Sequence, residues 1–335
     1  MTSLVVQTAF LGDVVLTTPL LRVLAARHGP VDVVATPAAA PLLETHAAVR
    51  RVIPYDKRGA DRGRAGLAAL ARRLAETHYE AAYLPHRSLR SALLAFRARI
   101  PTRIGFRDGW RLLYTESRPR PATGHEVDRL LALAGEPRAI RTPSIGLTAG
   151  DHGAAARFVE DEGLGAELVA VAPGSIWGTK RWPHYADLAA RLADGHAIVV
   201  VGGADDAGLA NAIVASVRAA GGRAASACGR LALRESAALI ARAKLLVTND
   251  SAPLHFAQAV GTPTVALFGP TLAAFGFGPL NPGDRVVEMT DLECRPCSRH
   301  GPASCPLKHH RCLRDLPVDR VMAAIEETGA LRRRN

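Results

Sequence analysis

Residues 245–271 read LLVTNDSAPLHFAQAVGTPTVALFGPT, and this stretch combines two kinds of local pattern. It begins with an apolar run typical of a buried strand, and a second such run, TVALF, lies near its end. Between the two runs, a polar turn leads into a segment, 252–260, that favours a helix. A strand, a helix and a second strand in this order predict a βαβ unit with parallel strands.

Short apolar runs alternate with Ala-, Leu- and Arg-rich segments of helical period along most of the chain. In the first half the predicted strands are SLVVQ, VDVVAT, VRRVIPY and EAAYLP, followed by helices at 14–28, 37–46, 63–77 and 88–97. In the second half they are ELVAVAPG, HAIVVVGG, AASACG, AKLLVTND and TPTVALFGP, with helices between them at 184–193, 206–220, 234–242 and 252–260. The repetition predicts an α/β protein with parallel sheets.

Two domains are expected from the length, because 335 residues exceed what one ordinary core holds. The segment that begins near residue 102 is rich in Arg, Gly and Pro and is predicted to be a loop before a helix at 124–135. The Pro- and Gly-rich segment 135–151 is the predicted linker. We predict Rossmann-like domains over 1–150 and 151–316, with parallel sheets facing a central cleft, and a final helix within 317–335.

The chain is strongly basic, with a formal net charge of +11 and a sequence pI near 10.1. A surface of this charge attracts anions such as phosphates, nucleic acid or acidic lipid headgroups. No apolar run reaches the roughly 18 to 20 residues that span a bilayer. The N-terminus also lacks the basic and apolar regions of a secretory signal. The protein is therefore expected to be cytoplasmic.

Four predicted strands end in small or polar residues, in FLGD, APGS, VGGADD and TNDSA. In parallel sheets, ligands bind at the carboxyl ends of strands, where helix N-termini offer free N–H groups. In FLGD, Gly12 allows the backbone to approach a ligand closely. Asp13 is either a base that accepts a proton or an ordinary N-cap, and the sequence leaves both roles open.

Two further turns carry polar residues with the same ambiguity. Asp250 or Ser251 caps the following helix, whose N–H groups then face an anionic phosphate, or the turn is a capping turn without a ligand. His255 belongs to that site or is an ordinary helix histidine. Asp205 or Asp206 holds ribose hydroxyls or serves as a plain N-cap, and GGADD departs from the glycine pattern of nicotinamide dinucleotide sites.

The segment PGSIWGTKRWP, 173–183, contains one of only four lysines in a chain with 38 arginines. Lys180 stands among glycines and the hydroxyl residues Ser175 and Thr179, just after a predicted strand. A lysine ammonium is a compact charge with three rotatable donors, which suits a diphosphate whose geometry changes. The alternative is a surface lysine with no partner.

Four segments together resemble one enzyme family: LGDVVLTTPLLRVL, PGSIWGTKRWP, NDSAPLHFAQAVGTPTVALFGPT and CRPCSRHGPASCPLKHHRCL. Their order and spacing are similar to those of the ADP-heptose:lipopolysaccharide heptosyltransferases, which are inverting GT-B glycosyltransferases. The resemblance covers most of the chain and is weakest over residues 56–130. It implies a GT-B fold and the transfer of heptose from ADP-heptose to the inner core of a lipopolysaccharide precursor, with no required cofactor.

The resemblance also implies roles for single residues. Asp13 matches the family's proposed general base. Ser175 and Lys180 match contacts to the donor's phosphates, and Lys180 would stabilise the charge of the departing diphosphate. The other donor-binding residues predicted in this way are Gly12, Thr179, Asp206, Asp250, Ser251, Ala252 and His255.

Two positions depart from the family's pattern. Ala252, followed by Pro253, stands where the family usually has glycine, and its Cβ would crowd a closely bound phosphate while its N–H stays available. Asp206 stands where glutamate is more frequent and gives a shorter reach to a ribose. Both residues keep their predicted roles.

By the same resemblance, the first half binds the acceptor and the second half binds the nucleotide sugar. Basic residues of the first half would face a phosphorylated glycolipid at the inner membrane surface, which predicts a cytoplasmic protein peripheral to that membrane, with no nucleic-acid partner. These residues are Arg103, Arg107, Arg111, Arg118 and Arg120, and the alternative for each of them is a solvated surface position without a contact. The alternatives are a GT-B transferase for another sugar nucleotide and a non-catalytic protein that binds anions or nucleic acid. The chain lacks a basic-aromatic recognition module, which argues against the second.

Four of the five cysteines fall late in the chain with the spacing C-x2-C-x7-C-x6-C, at Cys294, Cys297, Cys305 and Cys312. Four thiolates at such spacings can hold a tetrahedral Zn²⁺ ion, so a structural zinc site is one expectation. Reduced free thiols and disulfides are the alternatives, and a reducing cytosol disfavours disulfides.

The C-terminal segment PVDRVMAAIEETGALRRRN has an apolar stripe at helical spacing, formed by Val318, Val321, Met322 and Ile325. The resemblance implies that this helix crosses back and buries its stripe against the first domain. The alternative is a helix packed on its own domain, because periodicity indicates burial but not the partner.

Overall fold

The computed structural model describes residues 2–136 and 140–332. The chain divides into two compact units, Met1–Gly146 and Leu147–Asn335. Each unit contains a six-stranded sheet in which all neighbouring strands run parallel. The predicted α/β class with parallel sheets is confirmed.

The first unit is a Rossmann-like sheet with helices packed on it. Its strands are β1 (Ser3–Val6), β2 (Val31–Ala35), β3 (Val49–Pro54), β4 (Ala81–Leu84), β5 (Thr102–Phe106) and β6 (Glu116–Arg118). Its helices are α1 (Leu11–His28), α2 (Gly63–Ala75), α3 (Leu89–Arg97) and α4 (Glu126–Leu133), with short 3-10 helices at Ala40–Leu42 and Arg111–Leu113. The strand order is β3-β2-β1-β4-β5-β6. Strands β2 and β3 are added on one side of β1 and strands β4 to β6 on its other side, which places the topological switch point between β1 and β4.

The second unit repeats this order with its own elements. Its strands are β7 (Leu168–Ala172), β8 (Ala197–Val200), β9 (Ala224–Ser226), β10 (Leu245–Asn249), β11 (Thr264–Phe268) and β12 (Arg285–Glu288). Its helices are α5 (Ala149–Asp161), α6 (Tyr185–Leu192), α7 (Ala207–Ala219), α8 (Leu233–Arg242), α9 (Ala252–Val260), α10 (Arg311–Arg314) and α11 (Val318–Thr328). The order β12-β11-β10-β7-β8-β9 places its switch point between β7 and β10.

The stretch 245–271 forms the predicted βαβ unit. Strands β10 and β11 pair in parallel, with Val247 opposite Val265, and α9 connects them. Every residue of both strands is buried, because a parallel sheet covered by helices on both faces leaves no polar face. Gly261 ends α9 with a left-handed φ of 81°, a conformation that glycine adopts without a Cβ penalty.

Two local predictions were wrong, and a third, the linker at 135–151, contains the boundary between the two units but extends into a helix. The helix expected at 37–46 is only the 3-10 helix Ala40–Leu42, because Pro41 has no N–H to donate and its ring disfavours a longer helix. The loop expected after residue 102 contains β5 and β6, whose short strands carry charged residues. The predicted linker contains the start of α5, where Thr148 and Asp151 form a capping box.

The C-terminal helix α11 packs within the second unit. Val321 and Ile325 are buried in that unit's core, and Val318 and Met322 pack against the same core. The helix contacts β11, β12 and α6. The apolar stripe is therefore buried on its own domain, and the prediction that it buries against the first domain was wrong. Residues 333–335 of the predicted final segment lie outside the described residues.

Candidate functional site

The first unit presents the start of α1 at its switch point. Helix α1 begins at Leu11, a few residues after β1 ends, with Phe10 as its N-cap residue. Gly12 is buried and Asp13 is partly buried in the first turn of the helix. The partial positive charge of a helix N-terminus stabilises the ionised form of a carboxylate there. Asp13 is thus a first-turn acid of α1 at the carboxyl edge of the sheet.

The side chain of Gln7 holds the first turn of α1 through hydrogen bonds. The Gln7 amide nitrogen donates to Thr17 Oγ1 at 2.6 Å and to the Asp13 carbonyl oxygen at 3.4 Å. Thr17 Oγ1 in turn donates to the Asp13 carbonyl oxygen at 2.7 Å. The remaining Gln7 oxygen accepts a hydrogen bond from Nε2 of His86, which follows β4. Residues after β1 and β4 are therefore joined through one side chain at the switch point.

His86 is held neutral by its surroundings. Burial lowers the pKa of His86 from 6.5 to about 4, and the positive charges of Lys57 and Arg120 lower it further. The ammonium of Lys57 donates to the Thr8 carbonyl oxygen at 2.6 Å, on the loop after β1. Burial also lowers the pKa of Lys57. The carboxyl edge of the first sheet therefore combines cationic groups with a neutral imidazole.

The depressed pKa of His86 predicts that the protein loses stability on acidification. The unfolded chain takes up a proton near pH 6.5 and the folded chain only near pH 4, so unfolding is favoured progressively as pH falls between these values. Urea unfolding midpoints measured across this window should fall less steeply for His86→Gln than for the wild type. His152→Gln, at an exposed helix position, is the matched control. If the unfolding midpoints of His86→Gln and the wild type fall equally steeply with pH, the lowered pKa of His86 is contradicted.

In the second unit, Lys180 and Asp250 form an ion pair at the switch point. Lys180 ends a 3-10 helix, Gly178–Lys180, in the loop after β7, and Asp250 directly follows β10. Lys180 Nζ lies 2.6 Å from Asp250 Oδ2, and each side chain is 11% exposed. The hydroxyl of Thr271, after β11, donates to the same Asp250 oxygen at 2.7 Å. Lys180 is therefore not a surface lysine without a partner.

The segment 294–313, which carries the four late cysteines, packs beside the pair of Lys180 and Asp250. Thr179 Oγ1 donates to the Pro302 carbonyl oxygen, and His310 Nε2 donates to the Thr179 carbonyl oxygen at 2.7 Å. Gly301 has a left-handed φ of 79°, and a Cβ at that position would lie 3.2 Å from Lys180 Cε. The segment thus encloses the aliphatic part of Lys180 and leaves the ammonium directed at Asp250.

Asn249 joins the two loops of the switch point. Its side chain is fully buried, and its amide nitrogen donates to the Pro173 carbonyl oxygen at 2.8 Å. Its amide oxygen accepts the Trp182 backbone N–H at 3.3 Å and the Tyr185 hydroxyl at 3.2 Å. A buried amide with all of these partners fixes the PGSIWGTKRWP loop against the end of β10.

The start of α9 borders the same pair. Ser251 is the N-cap residue, with extended backbone angles, and Ala252 is the first helical residue. His255, one turn later, is buried, and its Nδ1 contacts the Gln258 side-chain oxygen at 3.1 Å. Burial lowers the pKa of His255, so the imidazole is neutral. His255 therefore has the internal partner that an ordinary helix histidine needs, and it also lies within electrostatic range of Asp250.

Asp206 lies against the loop after β7. A Cβ on Gly174 would lie 2.3 Å from the Asp206 carboxylate, so only glycine fits there without movement. Asp206 Oδ2 accepts the Gly203 backbone N–H at 3.0 Å from the third position of the 3-10 helix Ala204–Asp206, whereas as the N-cap residue of α7 its side chain makes no cap hydrogen bond. Arg181 Nη2 lies 4.0 Å from Asp206 Oδ1, and Arg181 Nε donates to the Ser175 carbonyl oxygen at 3.0 Å. The ends of β7 and β8 are thereby brought together.

The four late cysteines do not surround a common metal position in the structure. Over residues 2–136 and 140–332, no group of three or more His, Cys, Asp or Glu side chains is placed to hold a metal ion. Cys312 packs in the apolar core, and burial raises its pKa to about 11. Cys305 Sγ accepts the His310 backbone N–H at 3.4 Å, and Cys297 Sγ contacts the Cys294 carbonyl oxygen at 3.5 Å. All four are free thiols, which argues against disulfides between them, and the zinc site stays a prediction.

A sequence comparison adds to this geometry. The family model of glycosyltransferase family 9 (heptosyltransferase) matches residues 67–307. This chain belongs to glycosyltransferase family 9. It is 32% identical to lipopolysaccharide heptosyltransferase 2 of Escherichia coli K12, over 98% of this chain and 97% of that protein. It is also 32% identical to lipopolysaccharide heptosyltransferase 2 of Salmonella typhimurium, over 85% of this chain and 87% of that protein.

A solved structure agrees with this assignment. The structure of E. coli ADP-heptose lipopolysaccharide heptosyltransferase II is 29% identical to this family 9 chain, with a TM-score of 0.78 over 98% of both chains. The resemblance stated from the sequence motifs is confirmed, and the fold is a GT-B fold. The chain is a glycosyltransferase. Among the described residues, none of the helices has the length and apolar character needed to cross a membrane.

Some site residues of this family 9 protein were not singled out from the sequence. Thr271 was quoted only as part of a motif, although it is a hydroxyl directly after a strand, which is a usable signal. Gln7 and His86 are 79 positions apart, and no local pattern indicates that they meet. Their only shared signal is that each follows a strand next to the switch point.

Proposed function

We propose that this family 9 chain transfers heptose from ADP-heptose to the inner core of a lipopolysaccharide precursor, with inversion at the anomeric carbon. The observation that carries the proposal is the ion pair of Lys180 and Asp250 at the switch point of the second unit. A nearly buried ammonium beside a helix N-terminus suits a nucleotide diphosphate. The names of the relatives, lipopolysaccharide heptosyltransferase 2, supply the sugar and the acceptor class.

The donor is proposed to bind the second unit. The ammonium of Lys180 and the hydroxyl of Ser175 contact the diphosphate, and Thr179 holds the loop that carries Lys180 through its bond to Pro302. Asp206, in the 3-10 helix Ala204–Asp206 that follows β8, accepts hydrogen bonds from ribose hydroxyls. In this arrangement the buried pair opens in part, since Asp250 and the diphosphate both attract the ammonium.

The start of α9 is proposed to bind the sugar end of the donor. The Asp250 carboxylate accepts hydrogen bonds from heptose hydroxyls, and the Ser251 hydroxyl donates to or accepts from them. The Ala252 N–H faces the phosphate next to the sugar. His255 supports this turn as a neutral residue. Its Nδ1–H donates to Gln258, whose amide nitrogen donates to the Gly278 carbonyl oxygen at 3.1 Å. That arrangement leaves His255 Nε2 as a hydrogen-bond acceptor.

Asp13 is proposed to be the general base, with Gly12 allowing close approach of the substrates. Its carboxylate takes the proton of the acceptor hydroxyl while that oxygen bonds to the anomeric carbon. The bond from this carbon to the diphosphate oxygen breaks, and ADP leaves with the electron pair. Positioned bases contribute about 10²- to 10⁴-fold to such steps. Lys180 stabilises the charge that develops on the leaving diphosphate.

The proposed reaction has no cofactor step and no nucleic-acid partner. The acceptor is a phosphorylated glycolipid, which the first unit binds at the cytoplasmic side of the inner membrane. Lys57, a cation at the carboxyl edge of the first sheet beside His86, supports an anionic acceptor, whereas the nearby Arg120 guanidinium is paired with the Glu126 carboxylate. The protein is accordingly proposed to be cytoplasmic and peripheral to that membrane.

The test measures ADP release with ADP-heptose and a panel of truncated lipopolysaccharide acceptors. Transfer to an acceptor that lacks its outer heptoses, and no transfer to one that already carries them, is the expected result. The same assay with UDP- and GDP-sugars examines the alternative of another sugar nucleotide. Faster turnover with one of those donors would contradict the proposed donor, and product anomers of retained configuration would contradict the inverting reaction.

A further inference from the structure

The first unit exposes a group of large apolar side chains near α3. Leu89 and Phe96 of α3 are 41% and 50% exposed, and Trp110 and Leu112, in the segment between β5 and β6, are 44% and 99% exposed. Single exposed apolar residues are ordinary, but a contiguous group marks a binding surface. The four residues are called the α3 surface below.

The two segments that carry the α3 surface lie next to each other in the fold. Leu89 and Phe96 are seven positions apart, which places them on one face of α3, whereas Ala92 and Ala95 face the core. The 3-10 helix Arg111–Leu113 packs against α3. The Trp110 indole N–H donates to the Arg87 carbonyl oxygen at 3.1 Å, just before α3 begins.

Arginines are frequent in the segments that carry these apolar side chains. Residues 87–113 contain seven arginines and one acidic residue, Asp108. The exposed ones are Arg87, Arg97, Arg99, Arg107 and Arg111. Arg103 is partly buried, with its guanidinium 5.5 Å from the centre of the Phe96 ring and its Nε donating to the Leu113 carbonyl oxygen at 2.8 Å. The apolar residues and the cationic rim therefore form one structural feature.

We propose that the α3 surface docks this protein onto an anionic phospholipid bilayer. The proposal rests on the proposed function only in that a glycolipid acceptor resides in such a bilayer. Leucine and aromatic side chains insert at the boundary between headgroups and acyl chains, and arginines bind the lipid phosphates around them. A second copy of the chain fits less well, because a symmetric contact through this surface sets arginines against arginines.

The apolar part is tested with the full-length protein and sedimented vesicles. Phosphatidylglycerol mixed with phosphatidylcholine is compared with phosphatidylcholine alone. Wild type is expected to bind the mixed vesicles, and Leu112→Ser is expected to lower the partition coefficient about tenfold. Leu112 is almost fully exposed, so folding is not affected. Ile140→Ser, which replaces another exposed apolar residue of the first unit at 63% exposure, is the matched control.

The charged part is tested by replacing two exposed arginines of the rim. Arg107→Ser with Arg111→Ser is expected to lower binding to the mixed vesicles by at least fivefold, since one arginine near an anionic surface contributes about that factor. Arg72→Ser with Arg73→Ser, at exposed positions of α2, is the control of equal charge. Added salt should weaken binding of the wild type and of both controls.

Several results would overturn the docking surface. The first is that the wild type binds neutral and anionic vesicles equally, and the second is that the control variants lose as much vesicle binding as the α3 surface variants. The third is that Leu112→Ser changes the oligomeric state. Transfer to a soluble truncated acceptor is measured in parallel with the same proteins. If the wild type transfers sugar normally but does not bind vesicles, the docking surface is rejected and the proposed function stands. If the protein binds vesicles in a way that depends on Leu112 but transfers no sugar, the proposed function is rejected and the docking surface stands.

Discussion

Asp13→Asn is expected to lower the turnover number by about 10²-fold or more while leaving the affinity for ADP-heptose largely unchanged. An amide has nearly the same size as a carboxylate but accepts no proton at neutral pH. Gln7 and Thr17 hold the backbone of this turn through hydrogen bonds, so the replacement is expected to leave α1 in place. Calorimetry with ADP-heptose beside a turnover assay separates the two effects.

The control for Asp13→Asn is Asp187→Asn, an exposed acid in the first turn of α6. Both replacements remove one negative charge near a helix N-terminus and cost a similar, small amount of stability. Only the change at position 13 is expected to affect turnover. If Asp13→Asn keeps near-normal turnover, another residue is the base.

Gln7 offers a second approach to the same assignment. Gln7→Ala removes two of the hydrogen bonds that hold the Asp13 turn, together with the Gln7 contact to His86, and leaves the Asp13 carboxylate itself in place. A positioning role predicts a lower turnover number with a small change in donor affinity. The pH dependence of turnover should stay that of the wild type, because the base is retained.

The architecture was predictable because parallel strands covered on both faces must be apolar throughout. LVAVA of β7 and TVALF of β11 show this signature directly. Strands β5 and β6 escaped prediction because they are short and carry Arg103, Glu116 and Arg118. The start of α5 was hidden by glycines, although the Thr148 and Asp151 spacing is a capping signal.

The position of the candidate site followed from a topological rule rather than from residue chemistry. Ligands bind beside strand ends at a switch point, and the motifs around Asp13, Lys180 and Asp250 end strands there. What the sequence could not supply is the pairing of side chains from distant segments. Lys180 meets Asp250 across 70 positions, and α11 finds its partner helix and strands only in the folded core.

Lys180→Met is expected to weaken binding of both ADP and ADP-heptose by roughly 10- to 150-fold and to lower turnover as well. A hydrogen bond to a charged group contributes about 1.5 to 3 kcal/mol, and the diphosphate is charged in the bound state and more so as it leaves. Methionine retains the apolar stem that packs beside Gly301. Calorimetry with ADP measures the loss of ground-state binding directly.

The buried pair gives Lys180→Met a second consequence, a loss of stability. Without the ammonium, Asp250 keeps the Thr271 hydroxyl as a partner but remains a largely buried carboxylate, so the free energy of unfolding should fall by about 1 to 3 kcal/mol. The matched control is Lys244→Met, which removes a lysine from an exposed pair with Glu167 and should cost less than about 1 kcal/mol. ADP binding is therefore measured well below the unfolding transition of each variant. A destabilised Lys180→Met that binds ADP as tightly as the wild type would show that this lysine serves only the fold, and equal loss of ADP affinity in Lys244→Met would show that net charge alone is responsible.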